Sequence, residues 1–159
     1  MPEFRIGHGY DLHRLQSGGR LVLAGVVVST EISPIAHSDG DVVYHALVDA
    51  MLGAMGWGDI GEMFPNDDPQ WKDAASQIFV ETVIKRMSAD GFSVRNLDIT
   101  ILAERPRLKP FKPQMVHALR ALFPQAVVNV KAGTNEGCDA IGHGEAIAAH
   151  AVVLAGQGG

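Results

Sequence analysis

Apolar and polar positions along the chain divide it into short alternating segments. Phe4 to His13 reads as a strand. Arg20 to Ser29, "RLVLAGVVVS", reads as two short strands about a Gly25 turn, a hairpin pattern. Asp39 stands where it can cap a helix. Apolar residues at 43, 47, 48, 51, 52 and 55 then form a helical stripe. The stretch "WGDIGEMFPNDDPQW" clusters Gly, Pro, Asn and Asp and predicts a loop. A second amphipathic helix is expected over Ala74 to Asp90, closed by Gly91. "VRNLDITILAE" is rich in β-branched residues and predicts a strand. Pro106, Pro110 and Pro113 break the next segment, before a third helix over Gln114 to Phe123. "VVNVKAGT" predicts another strand. Glu145 to Ala155 is Ala-rich like a helix but uniformly apolar, and we read it as a buried strand.

Strands and helices alternate without a GxGxxG or GxxxxGK[ST] phosphate loop. The expected class is therefore α/β (α+β): a mixed β-sheet with helices packed on one face, not a doubly wound dinucleotide fold. The 159 residues suit a single domain, expected to span 1–159. No run reaches the ~20 apolar residues of a membrane span. With no signal or transit pattern, a cytoplasmic location is expected. Cys138 is the only cysteine, so no internal disulfide can form. The net charge of -5 argues against broad nucleic-acid binding. An acidic chain can still hold a compact polyanion if metal ions or a local basic cluster supply the cations.

Both sources of charge have candidates. In "GHGYDLH", Asp11 and His13 lie two apart and project from one face of a strand. The glycines there would allow close approach of backbone and substrate. On the following helix Asp41, His45 and Asp49 are spaced i, i+4, i+8, and any of them could supply a third ligand. An Asp/His/His set with an open fourth position suits a catalytic Zn2+. The alternatives are a hydrogen-bonded core histidine and aspartates that simply favour a helix N-terminus. His8, His117 and His150 carry no partner pattern and read as structural or exposed. Arg105, Arg107 and Lys109 are the main basic cluster, in a proline-stiffened loop.

The segments "IGHGYDLHRL", "AHSDGDVVYHALVDAMLGAMGWGDIGEMFP", "DITILAERPRLKP" and "VNVKAGTNEGCDAIGHGEA" share their order and spacing with one family. Over nearly the whole chain the sequence resembles 2-C-methyl-D-erythritol 2,4-cyclodiphosphate synthases of the non-mevalonate isoprenoid route. The resemblance implies a cytidine diphosphate substrate whose 2-phosphate attacks the β-phosphorus and expels CMP. It implies Zn2+ held by Asp11, His13 and His45, and Mg2+ or Mn2+ held with substrate through Glu136. It implies a homotrimer, with strands lining the threefold axis and active sites between subunits. His37 and Thr134 would align the reacting phosphates, with Ser38 donating beside them. The methylerythritol part would lie against Asp59, Ile60, Gly61, Phe64, Pro65, Asn66, Asp67 and Asp68. The cytidine would lie against Ala103, Arg105, Pro106, Arg107, Leu108 and Lys109. Gly133, Asn135, Ala140 and His143 complete the expected substrate surface. Ala140 and His143 depart from relatives that have an aromatic residue and an arginine there, residues associated with an axial isoprenoid-diphosphate cavity. Two rival readings use the same residues: a Zn-dependent phosphohydrolase, and a non-catalytic trimeric binder of isoprenoid diphosphates.

Overall fold

Seven strands and five helices make up the fold of residues 3–158, the part that the computed structural model describes. The strands are β1 Phe4–Ser17, β2 Leu21–Leu23, β3 Val26–Ser29, β4 Ile32–Pro34, β5 Phe92–Leu102, β6 Val127–Gly133 and β7 Ala146–Gln157. The helices are α1 Val42–Met55, α2 Ile60–Met63, α3 Gln77–Ala89, α4 Lys112–Leu122 and α5 Asp139–Gly142. None of the described helices is long and apolar enough to cross a membrane.

One five-stranded mixed sheet has the order β4-β1-β7-β5-β6. Only β5 and β6 run parallel. The Ala-rich segment is indeed the central strand β7, antiparallel to both β1 and β5. Its alternate residues Ile147, Ala149, Ala151, Val153 and Ala155 join the main core. The β2–β3 hairpin turns at Ala24 and Gly25, both with positive φ, which a tight two-residue connection requires. The expected helix after residue 39 starts later and is capped differently. Asp41, not Asp39, accepts the Val43 and Tyr44 N–H groups. The second helix begins at Gln77 and the third at Lys112, with Pro113 tolerated in the first turn. Strand β4 and the one-turn helices α2 and α5 have no periodic signal of their own and were not expected.

Helix α1 is buried nearly all round, so it is a core helix lying on the sheet. Its approach to β1 is set by two glycines. A Cβ at Gly7 would come 1.8 Å from the Ala50 carbonyl oxygen. A Cβ at Gly9 would come 1.8 Å from the Ala46 carbonyl oxygen. The glycines of "GHGYDLH" thus admit the backbone of α1, and Ala46 and Ala50 are the matching small residues. On the opposite face of the sheet, Phe4, Ile6, Tyr10, Leu12 and Val152 are exposed.

Because the obstructing atoms at Gly9 are backbone, α1 must move to admit a methyl group. Gly9→Ala should cost about 3 kcal/mol, a fall in Tm of ~6–12 °C for a chain of this size. Calorimetry on the folded protein checks this, and an unchanged Tm would mean that the helix is not held as close as described.

Candidate active site

The strand period and the helix approach meet at one point. Asp11 and His13 project from the α1 side of β1, and His45 faces them from α1. Asp11 Oδ2 is 3.1 Å from His13 Nε2 and 3.1 Å from His45 Nδ1. The two ring nitrogens are 3.3 Å apart. Donors of a tetrahedral zinc site, with bonds of ~2.0–2.1 Å, stand ~3.3 Å apart. The triangle therefore fits a divalent cation. It is the only group of three or more potential His, Cys, Asp or Glu ligands among the described residues. Asp41 and Asp49, the other helix candidates, are engaged elsewhere.

Burial opposes ionisation of Asp11. Hydrogen bonds and charge from His13 and His45 outweigh it and bring the carboxyl down from 3.8 to about 2. Burial likewise opposes protonation of His45, but the Asp11 carboxylate prevails and its pKa rises above 6.5. The site is thus built for positive charge, whether proton or metal.

Three aspartates of α1 and its approach loop have structural partners. Fully buried Asp41 accepts from the N–H groups of Ala24, Gly25, Val43 and Tyr44 at 2.9–3.2 Å. Burial pushes its carboxyl up to about 6, and the surrounding donors keep it ionised at neutral pH. It ties the β2–β3 hairpin to the start of α1. Asp49 accepts from Ile60 N at 2.7 Å and anchors α2 to the side of α1. Asp39 reaches across to Ser76 and accepts from its N–H at 3.0 Å and from its hydroxyl.

The triad opens into a cleft of about 460 Å³. His37 and Ser38 line it, as do Ile60, Gly61, Phe64, Asn66, Asp67 and Asp68. Asp59 and Pro65 lie outside this lining, and Asp59 caps α2 by accepting from Glu62 N at 2.9 Å. Lys72, Trp71 and Phe79 also line it and were not foreseen, and the two aromatic rings form a wall with the expected Phe64. Their ring centroids lie 4.6–5.5 Å apart. The Phe64 and Trp71 part of the wall could have been suspected from the apolar residues inside an otherwise acidic loop.

A second cleft, about 420 Å³, lies elsewhere and shares no lining residue with the first. Ala103, Pro106, Arg107, Leu108, Lys109, Gly133 and Thr134 line it, together with Glu104 and Lys112. Glu104 Oε2 is buried there with no hydrogen-bond partner, an acceptor in need of a donor. Glu136 and Asn135 lie in the turn beyond β6, with Thr134 Oγ1 donating to Glu136 Oε1 at 3.4 Å. Arg105 and His143 line a third cleft. Ala140 is exposed on α5. The described chain therefore brings the metal triad together with six of the eight residues expected around the methylerythritol part, and gathers five of the six expected cytidine residues in a separate cleft.

The YgbB family model matches residues 4–156. The chain is 46% identical over 153 residues to the chloroplastic 2-C-methyl-D-erythritol 2,4-cyclodiphosphate synthase of Arabidopsis thaliana, over 95% of this chain and 66% of that protein. It is 49% identical over 152 residues to the synthase of Nitrosococcus oceani, over 94% of this chain and 96% of that one. The chain thus spans about two thirds of the plant protein and almost all of the bacterial one. A solved 2C-methyl-D-erythritol-2,4-cyclodiphosphate synthase in its CDP-bound form superposes with a TM-score of 0.87 at 37% identity, covering 95% of this chain and 99% of that chain. With the fold, the ligand triangle and the sequence in agreement, the chain belongs to the YgbB family of 2-C-methyl-D-erythritol 2,4-cyclodiphosphate synthases, the lyases that form that cyclic diphosphate in isoprenoid precursor biosynthesis.

Proposed function

We propose that this chain performs the family's reaction as a homotrimer, each metal cleft facing the basic cleft of a neighbouring subunit. Residues 1–159 act as one catalytic domain. The observation that carries this reading is the pairing of a convergent Asp11/His13/His45 triangle with a separate basic cleft on the same chain. The substrate is 4-diphosphocytidyl-2-C-methyl-D-erythritol 2-phosphate. An oxygen of its 2-phosphate bonds to the β-phosphorus, the bond from that phosphorus to the CMP oxygen breaks, and CMP leaves with the electron pair. The nucleophile is already anionic, so the chain needs no strong base and its work is positioning and charge compensation.

Asp11, His13 and His45 would hold Zn2+, and Glu136 would hold a second divalent ion, Mg2+ or Mn2+, with the substrate. When bound, these ions offset the negative charge of the diphosphate. His37 and Ser38 donate to phosphate oxygens at the cleft rim. Thr134 does so from the neighbouring subunit. The loop of residues 59–68 holds the methylerythritol part. The neighbour's Ala103, Pro106, Arg107, Leu108 and Lys109 hold the cytidine, a reading supported by a solved relative that binds CDP. The exposed Phe4, Ile6, Tyr10, Leu12 and Val152 form the apolar face that the trimer covers, so strands line its axis.

Two outcomes are expected. Phosphorus NMR should show a cyclic diphosphate and CMP. His45→Ala should slow their formation on the order of a thousandfold. Inorganic phosphate as the product would favour a phosphohydrolase instead.

The trimer should sediment at three times the 17.0 kDa chain mass. Ile6→Asp should dissociate it and abolish turnover while leaving zinc binding in place. A fully active monomeric variant would contradict the shared site.

The raised pKa of His45 gives the metal-free fold a stabilising contribution that is present below about 6.5 and lost as pH rises through the folded value. Zinc competes for the same nitrogen. The Tm difference between zinc-loaded and metal-free protein should therefore widen from about pH 6 to about pH 8. A difference that narrows over that interval would remove His45 from the ligand set.

A further inference from the structure

The far side of the His45 ring is as tightly arranged as the near side. His45 Nε2 lies 2.8 Å from Ser76 Oγ and 3.1 Å from Ser38 Oγ. Ser76 is fully buried at the start of α3, 31 residues along the chain from His45. Its hydroxyl bonds to Asp39 Oδ1, while its N–H bonds to Asp39 Oδ2 at 3.0 Å. Asp39 Oδ1 also accepts from Asp41 N at 3.1 Å.

Counting protons along this line leaves one arrangement. An ionised carboxylate can only accept, so the single hydroxyl proton of Ser76 points to Asp39. Ser76 Oγ then has only lone pairs to offer His45. To be satisfied, Nε2 must carry the ring proton and donate it to Ser76. In the neutral ring Nδ1 is then unprotonated, and Nδ1 is the nitrogen that faces Asp11 and His13.

We propose that Ser76 and Asp39 are positioning residues for the metal centre: the Asp39–Ser76–His45 chain fixes the His45 ring plane and tautomer so that Nδ1 is presented to the cation. Histidines that bind metals commonly donate their other N–H to a carboxylate or carbonyl, which fixes the ring and raises its basicity. Here a buried hydroxyl relays the carboxylate. The arrangement also gives the "HSDGD" segment two separate tasks. Asp41 caps α1, whereas Asp39 spans to α3 and makes the N-terminus of that helix part of the metal site. Ser38, whose oxygen also accepts from Gly40 N at 3.3 Å, gives Nε2–H a weaker second acceptor. Its own proton remains available towards the cleft.

This inference rests on the reading of Asp11, His13 and His45 as zinc ligands, and the test separates the two. Zinc affinity is measured by competition with a chromogenic chelator for the wild type, Ser76→Ala, Ser76→Thr and Asp39→Asn. Long-range 1H–15N spectra of the zinc-loaded wild type report which His45 nitrogen carries the proton. The expected result is a loss of zinc affinity of about tenfold or more in Ser76→Ala, substantial recovery in Ser76→Thr, and a wild-type ring with Nε2–H and a ligating Nδ1. A merely structural serine would lower the Tm of the metal-free and zinc-loaded forms alike, without changing zinc affinity. Unaltered affinity in a folded Ser76→Ala overturns the proposal while the zinc reading stands. Should that variant fail to fold, a wild-type ring that binds zinc through Nε2 overturns it equally well. A wild type that binds no zinc overturns both readings.

Discussion

The close contact between α1 and β1 is the constraint on which the rest of the structure depends. A helix normally rests on a sheet at a distance set by the side chains between them. At Gly7 and Gly9 there are none, and the carbonyl oxygens of Ala46 and Ala50 occupy the space where a Cβ would be. That approach places His45 within 3.1 Å of Asp11 and 3.3 Å of His13. Neither element carries the full triangle. A helix held further out would leave a two-ligand strand and an isolated histidine. The core and the site are thus one packing problem, with Ala149, Ala151 and Ala155 keeping the neighbouring central strand equally slim.

Burial in so tight an interface would be costly for the polar groups that enter it. The chain answers with short-range donors and acceptors. Asp41 has no exposed surface yet is surrounded by N–H groups from two segments. Asp39 and Ser76 satisfy each other and the back of His45. Asp49 holds Ile60 N. Apart from the local capping bonds of Asp41 to Val43 and Tyr44, these bonds join segments 11 or more residues apart. The acidic residues around α1 therefore orient the loops that form the cleft, and only Asp11 faces the cation position.

Parts of this were legible in the sequence. The i, i+2 spacing of Asp11 and His13 puts them on one face of any strand, and the apolar run Glu145 to Ala155 reads as a buried strand, although Val152 on its far face is exposed. The role of Asp39 was not legible. Capping is a local rule, and by that rule Asp39 and Asp41 are equally good N-caps. The decision between them is made by Ser76, 37 residues away from Asp39, through a contact with no periodic signature. The same holds for Phe79 in the cleft wall. On its helix it looks like any other core residue, and only the fold turns one edge of the aromatic cluster towards the cleft. Gly7 and Gly9 were visible as glycines, but what approaches them is the helix backbone and not a ligand.

The separation of the two clefts carries a further consequence for how such a site works. A compact substrate bearing three phosphates brings a high density of negative charge to an acidic chain. In the proposed trimer the metal triad comes from one subunit and Arg107, Lys109 and Lys112 come from the next, so the cations do not have to be crowded into one subunit. Like charges packed within one chain would repel before substrate arrives, and the small domain would bear that cost alone. Shared between two chains as proposed, the cost would be met by the apolar sheet face that the assembly would bury, and full electrostatic strength would exist only where two subunits meet. The unpaired Glu104 Oε2 fits the same logic. It is an acceptor set into the wall of the basic cleft, tolerable in a site whose remaining donors arrive with the ligand or the neighbouring subunit.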